Sequence, residues 1–77
     1  MIKVISAEPQ QNYSLYIRLS NGREGSFNVT QYLDKGIFTE LKNLSYFNQV
    51  RVAFGGVVWP NNKDFSADTI EFELIGK

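Results

Sequence analysis

The sequence contains no cysteine and no histidine among its 77 residues. Without cysteine the chain has no disulfide, no thiolate nucleophile and no thiolate ligand for a metal ion. Without histidine it also lacks the side chain that most often serves as a general base or metal ligand near neutral pH. These two absences exclude most familiar catalytic constellations, and we expect no catalytic residues, no cofactor and no metal site.

An excess of charge of either sign is missing as well, because eight Lys and Arg residues balance eight Asp and Glu residues without clustering. Phosphate backbones and anionic lipid surfaces are bound by basic patches. The sequence therefore predicts a protein that binds neither nucleic acid by itself nor a membrane. The apolar stretch in residues 1–6 is too short for a signal peptide or a membrane span, which favours a cytoplasmic location.

Apolar and aromatic residues are well represented, at 43% and 14% of the chain. A chain of this length forms one small core that removes roughly 63% of the unfolded surface from water, which excludes a second domain. Short alternating apolar runs, turn residues between them and brief helical patterns predict an α+β fold. We expect small antiparallel β-hairpins packed with one or two short helices in a single domain over residues 1–77.

The first part of the chain predicts three strands. Residues 2–7 form a β-rich run that we expect to end before Pro9, because proline cannot donate a hydrogen bond to a neighbouring strand. Two alternating runs follow, and a three-residue loop over residues 20–22 pairs Leu15 with Phe27 in the resulting hairpin. A two-residue loop would divide the apolar side chains between the two faces, so the three-residue loop is preferred.

The middle of the chain predicts helical segments. Asn28 or Thr30 is placed to cap a short helical turn. After it, apolar residues recur at i, i+4 and i+7, at positions 37, 41 and 44. This spacing predicts an amphipathic helix that points Ile37, Leu41 and Leu44 into the core.

A second hairpin is predicted around residues 55–56, because two consecutive glycines permit the positive φ angles of a tight turn. A two-residue turn at this point places Phe54 opposite Val57 and Val52 opposite Trp59. All four apolar side chains then share the inner face of the hairpin.

The C-terminal segment is predicted less clearly. Asp64 or Ser66 is suited to cap a helical turn, because both residue types accept hydrogen bonds from the first backbone amides of a helix. Residues 70–75 alternate in polarity as a strand does, yet Ile70 and Leu74 are also one helical turn apart. The pattern therefore leaves strand and helix open for this segment.

Five residues are candidates for binding a protein partner. Tyr16, Arg18, Glu24 and Arg51 are expected on the outer face of the sheet, and arginine and tyrosine are enriched at protein interfaces. The alternative for this set is a solvated face with a cross-strand ion pair of little energetic weight. Trp59 is either an interface anchor or a core residue, and the core is favoured because large aromatic side chains dominate small cores.

Several segments, taken in order, resemble a known family over nearly the whole chain. They are Leu19-Ser20-Asn21-Gly22-Arg23, Gly36-Ile37-Phe38 before Leu41, Tyr46-Phe47 before Val50-Arg51-Val52, and Val57-Val58-Trp59-Pro60 before Asp64. The family is the small bacterial domain of unknown function 2442. The resemblance implies a compact α+β domain with no established activity, and some relatives look like partners of a neighbouring small protein in toxin–antitoxin-like pairs.

Three functional hypotheses follow. The first is a non-catalytic protein-binding module, with an antitoxin-like role implied by the resemblance, which acts on a protein partner or by self-association. The second is a small ligand-binding or enzymatic domain that uses only Asp, Glu, Arg and Tyr, but no nucleophile adjacent to a base is evident. The third is a nucleic-acid binder, which the balanced and dispersed charge disfavours.

Overall fold

The computed structural model describes residues 1–75. Within these residues, six strands form two three-stranded antiparallel sheets, and short helical segments lie between the sheets in sequence and after the last strand. The first sheet contains β1 (Val4–Gln10), β2 (Ser14–Leu19) and β3 (Glu24–Asn28), and the second contains β4 (Arg51–Ala53), β5 (Gly56–Trp59) and β6 (Lys63–Phe65). The helices are 3₁₀ at Thr30–Tyr32 and Gly36–Lys42 and α-helical at Leu44–Phe47 (α1) and Ala67–Glu73 (α2). The predicted α+β class is confirmed.

The hairpin of β2 and β3 has the predicted register. Leu15 lies opposite Phe27, and both side chains are buried. The loop is closed by a hydrogen bond from the Gly22 amide to the Leu19 carbonyl at 3.0 Å, and Gly22 takes a φ of 92°. The three-residue loop is therefore confirmed, and the left-handed position in it is filled by the residue type that adopts it without steric cost.

The first strand is longer than predicted. β1 continues through Pro9, which lies opposite Leu15, and ends at Gln10. This is possible because β1 is an edge strand, so one side of its backbone needs no donor. At its other end the Val4 amide donates to the Gly55 carbonyl at 2.9 Å, which links β1 to the second sheet.

The middle helical segment was predicted with the wrong period. The short turn after Asn28 forms as expected, and the Asn28 side chain accepts a hydrogen bond from the Thr30 amide at 2.8 Å. The following helix, however, is 3₁₀ and repeats every three residues, so Leu41 is buried while Ile37 is 62% exposed. Leu44 lies beyond this helix, in α1 after the extended backbone of Asn43, and is 58% exposed. Phe38, three residues before Leu41, packs against the core in place of Ile37.

The second hairpin has a different register from the predicted one. Val52 lies opposite Val57, so the turn consists of Phe54 and Gly55, with φ angles of 54° and 79°. Gly56 is instead the first residue of β5, and only glycine fits there because a Cβ atom would lie 2.3 Å from the Phe65 carbonyl oxygen. Because β5 and β6 approach closely at this position, Gly56 belongs to the strand. The turn therefore lies one residue earlier than predicted.

The C-terminal segment contains an unpredicted strand and a helix. Asp64 does not cap a helix but lies in β6 opposite Val58. Ser66 is the cap of α2, and its hydroxyl oxygen accepts a hydrogen bond from the Thr69 amide at 3.2 Å. The open alternative for residues 70–75 resolves as helix to Glu73, followed by a bridge between Ile75 and Ser26.

The core lies where the two sheets and the helical segments meet. Phe27 of the first sheet packs edge-on against Phe65 of the second, with ring centroids 5.1 Å apart. Trp59 is 3% exposed, packs against Phe65 and donates a hydrogen bond from Nε1 to the Phe47 carbonyl at 2.8 Å. This aromatic cluster holds the two sheets together.

Candidate protein-interaction surfaces

Three of the predicted partner-binding residues form one surface, which we call the first-sheet face: Tyr16, Arg18 and Glu24. Tyr16 and Arg18 alternate with the buried side chains of β2, and Glu24 lies opposite Arg18 on β3. The Tyr16 hydroxyl donates a hydrogen bond to Glu24 Oε1 at 2.8 Å. The first-sheet face is thus a small polar cluster on the outer side of the first sheet.

The electrostatics of this face leave one charge without a partner. The hydrogen bond to Glu24 raises the pKa of Tyr16, with smaller contributions from burial and the Glu24 charge, while nearby Arg18 acts in the opposite direction. The hydroxyl therefore stays protonated and holds the Glu24 carboxylate. Arg18 is exposed and takes part in no ion pair within residues 1–75, although Glu24 lies directly across from it.

The other two predicted residues do not belong to this face. Arg51 lies in β4 of the second sheet, opposite Val58, and lines an open cleft of about 390 Å³. Trp59 is buried in the aromatic core, which confirms the core interpretation and removes it from the candidate surface. The predicted four-residue outer face is therefore divided between two sheets.

Phe54 is an exposed residue that the sequence interpretation placed in the core. Its side chain is 101% exposed at the tip of the second hairpin, and its φ angle of 54° is left-handed. For a bulky residue this conformation costs about 1–2 kcal/mol. The ring contributes nothing to the core in return, so its position is a candidate contact point. The only signal in the sequence was the alternative turn at residues 54–55, which competes with the turn at residues 55–56.

Lys63 is a buried charged residue whose amino group contacts two neighbouring side chains. It forms an ion pair with Glu40, and its amino group lies 5.5 Å from the centre of the Tyr46 ring. The hydrogen bond to Glu40 raises the pKa of Lys63, so the amine stays protonated. A protonated amine does not act as a nucleophile or a general base, which assigns this pair to packing.

Within residues 1–75 no group of three or more His, Cys, Asp or Glu side chains is arranged to hold a metal ion. Over the same part of the chain, no helix has the length and apolar character needed to cross a membrane.

Comparison with known proteins supports the resemblance in the sequence. Neither the curated proteins nor the solved structures include a significant match to this chain. The family model described as "Protein of unknown function (DUF2442)" matches residues 4–76, a range that includes every strand and α-helix described above, from β1 to α2. The chain therefore belongs to the DUF2442 family.

Proposed function

We propose that the chain is a non-catalytic protein-binding module of the cytoplasm that acts as an antitoxin-like partner of a neighbouring small protein. The first-sheet face is its contact surface. The observation that carries this proposal is the exposed Arg18, which has no ion pair among residues 1–75, while Glu24 directly across from it accepts the hydrogen bond of Tyr16.

The chemistry of the face defines the partner that fits it. Arg18 offers several N–H donors in a planar arrangement that matches a carboxylate, and it need not break an existing ion pair to bind one. The Tyr16 ring beside it is held in place by its hydrogen bond to Glu24, so little side-chain entropy is lost on association. The expected partner therefore presents an acidic side chain next to an apolar or aromatic one.

Charge reversal at Arg18 tests the proposal. Arg18→Glu is expected to weaken binding of the partner at least about tenfold, equivalent to about 1.4 kcal/mol. The melting temperature should stay nearly unchanged, because an exposed charge contributes little to folding. The partner is first isolated from the native host with the wild-type chain as bait, and the affinity is then measured by isothermal titration calorimetry.

Arg51→Glu is the matched control, because Arg51 is also an exposed arginine on a strand but lies in the second sheet. It should bind the partner as the wild type does. Equal affinity of Arg18→Glu and the wild type would contradict the proposal, and so would an equal loss in both variants, which would indicate a general effect of net charge.

A second candidate function is small-ligand binding in the cleft beside Arg51. Its volume of about 390 Å³ is in the range of ligand pockets, and Asn61 and Asn62 line it with the arginine. Trp59 also lines this cleft, so a bound ligand should change its fluorescence. A saturable fluorescence change that Arg51→Glu abolishes and Arg18→Glu preserves would favour this function.

A further inference from the structure

Phe54 lines the cleft beside Arg51 and also a second cleft, of about 350 Å³, which Arg51 does not line. Three segments line this cleft: residues 1–3, the turn at residues 54–55, and residues 66–68 at the start of α2. Phe54 itself remains fully exposed, so it borders the cleft without filling it. A protruding ring and a recess of suitable size are therefore next to each other on one surface.

One positive and one negative side chain line this cleft. Lys3 comes from the segment before β1, and its side chain lies near Gly55, since a Cβ atom added there would be 3.8 Å from Lys3 Cγ. Asp68 comes from the first turn of α2, on a different segment of the lining. Both side chains are exposed, and neither takes part in an ion pair within the part of the chain that is described.

We propose that this surface binds a second copy of the chain, with Phe54 of each copy inserted into the cleft of the other. A twofold interface requires a surface that is complementary to itself. Here the ring and the recess are adjacent, and one positive and one negative side chain border the recess, so rotation by 180° can bring Lys3 of one copy to Asp68 of the other. The zero net charge of the chain gives no long-range repulsion between copies. This proposal goes beyond the proposed function and uses a different surface from the first-sheet face.

The size of the contact determines the expected strength. A phenylalanine side chain buries roughly 200 Å², so two rings supply about 400 Å² of the about 1,200 Å² found in the smaller stable interfaces. The cleft walls must provide the remainder, and the dimer is therefore expected to be weak. Sedimentation equilibrium of the full chain from low micromolar to about 1 mM covers the corresponding range of dissociation constants.

The test combines a ring deletion with a charge exchange. Phe54→Asn should raise the dimer dissociation constant at least about tenfold without loss of thermal stability, because asparagine adopts left-handed φ angles more readily than phenylalanine. Lys3→Asp alone should weaken the dimer, and the double variant Lys3→Asp with Asp68→Lys should restore it. Arg18→Glu, on the first-sheet face, is the control and should dimerise as the wild type does.

Three results would overturn the proposal. The first is a wild-type chain that stays monomeric throughout the concentration range. The second is a dimer that Phe54→Asn leaves unchanged, which would place the contact elsewhere. The third is a monomeric chain that captures an unlike protein through Phe54, which would make the cleft a site for a different partner. None of these results bears on the Arg18 experiment, so the failure of one proposal can be told apart from the failure of the other.

Discussion

Gly56→Asn should destabilise the fold strongly, because the position has no room for a side chain. A Cβ atom there would lie 2.3 Å from the Phe65 carbonyl oxygen and 3.3 Å from both the Phe65 carbonyl carbon and the Ser66 Cα atom. All three are backbone atoms, so no side-chain rotation relieves the contact and β6 must move away from β5. Overpacking of this kind costs about 1–3 kcal/mol, and each hydrogen bond weakened between the strands adds about 1 kcal/mol. The expected loss in the free energy of unfolding is therefore about 2–4 kcal/mol.

Gly55→Asn is the matched control for this variant. Gly55 has a φ of 79° and only Lys3 Cγ near its missing Cβ atom, at 3.8 Å. Asparagine tolerates left-handed φ angles, so the expected loss is about 1 kcal/mol or less. Urea unfolding followed by the fluorescence of Trp59, the single tryptophan, measures both variants. A larger loss at Gly55 than at Gly56, or equal losses, would refute the reasoning and favour a turn at residues 55–56.

Three further outcomes can be measured by urea unfolding followed by far-UV circular dichroism, a signal that does not depend on Trp59. Trp59→Ala should lower the free energy of unfolding by about 3–5 kcal/mol, the usual cost of removing a large buried aromatic side chain. The hydrogen bond to Glu73 raises the pKa of Tyr32 from 10.0 to about 12. The protonated Tyr32 hydroxyl therefore stabilises the folded state fully below pH 10, and this stabilisation should be lost between pH 10 and 12. Tyr32→Phe should remove this part of the pH dependence of the free energy of unfolding. Glu40→Gln should destabilise more than Lys63→Met, because it leaves the buried ammonium of Lys63 without its carboxylate.

The first hairpin could be predicted because its own residues contain the deciding information. With a loop over residues 20–22, Leu15 and Phe27 face the same side, and any shift by one residue moves one of them into solvent. The positions of Arg18 and Glu24 follow from the same register. The placement of these residues on one face of the first sheet could therefore be predicted from sequence alone.

The second hairpin could not be predicted from its own residues. Turns at residues 54–55 and at residues 55–56 both place at least one glycine at a positive φ. The contact that decides between them is made by Gly56 with Phe65, a residue of β6. This strand was not expected, because residues 61–64 have the composition of a loop, and Asn61 and Asn62 adopt left-handed φ angles in the turn before it.

The buried face of the helix over residues 36–42 also could not be predicted from its own residues. Its apolar residues fit an α-helical repeat of 3.6 residues, which would bury Ile37 and Leu41. They fit equally well a 3₁₀ repeat of three residues, which buries Phe38 and Leu41. Packing against the aromatic core selects the second repeat, since the Phe38 and Phe65 rings stack with centroids 4.9 Å apart. That partner lies far away in the sequence and gives no local signal.

Dependence on contacts with distant residues also explains why the first-sheet face could be predicted and the Phe54 surface could not. A turn at residues 55–56 would place Phe54 opposite Val57, whose side chain is buried, and would turn the phenyl ring inward. The observed register turns the ring outward, and the close contact of Gly56 with β6 maintains that register. Exposure of Phe54 is therefore a consequence of how the second sheet is packed. It follows that Gly56→Asn should weaken the proposed dimer as well as the fold, whereas Phe54→Asn should weaken the dimer alone.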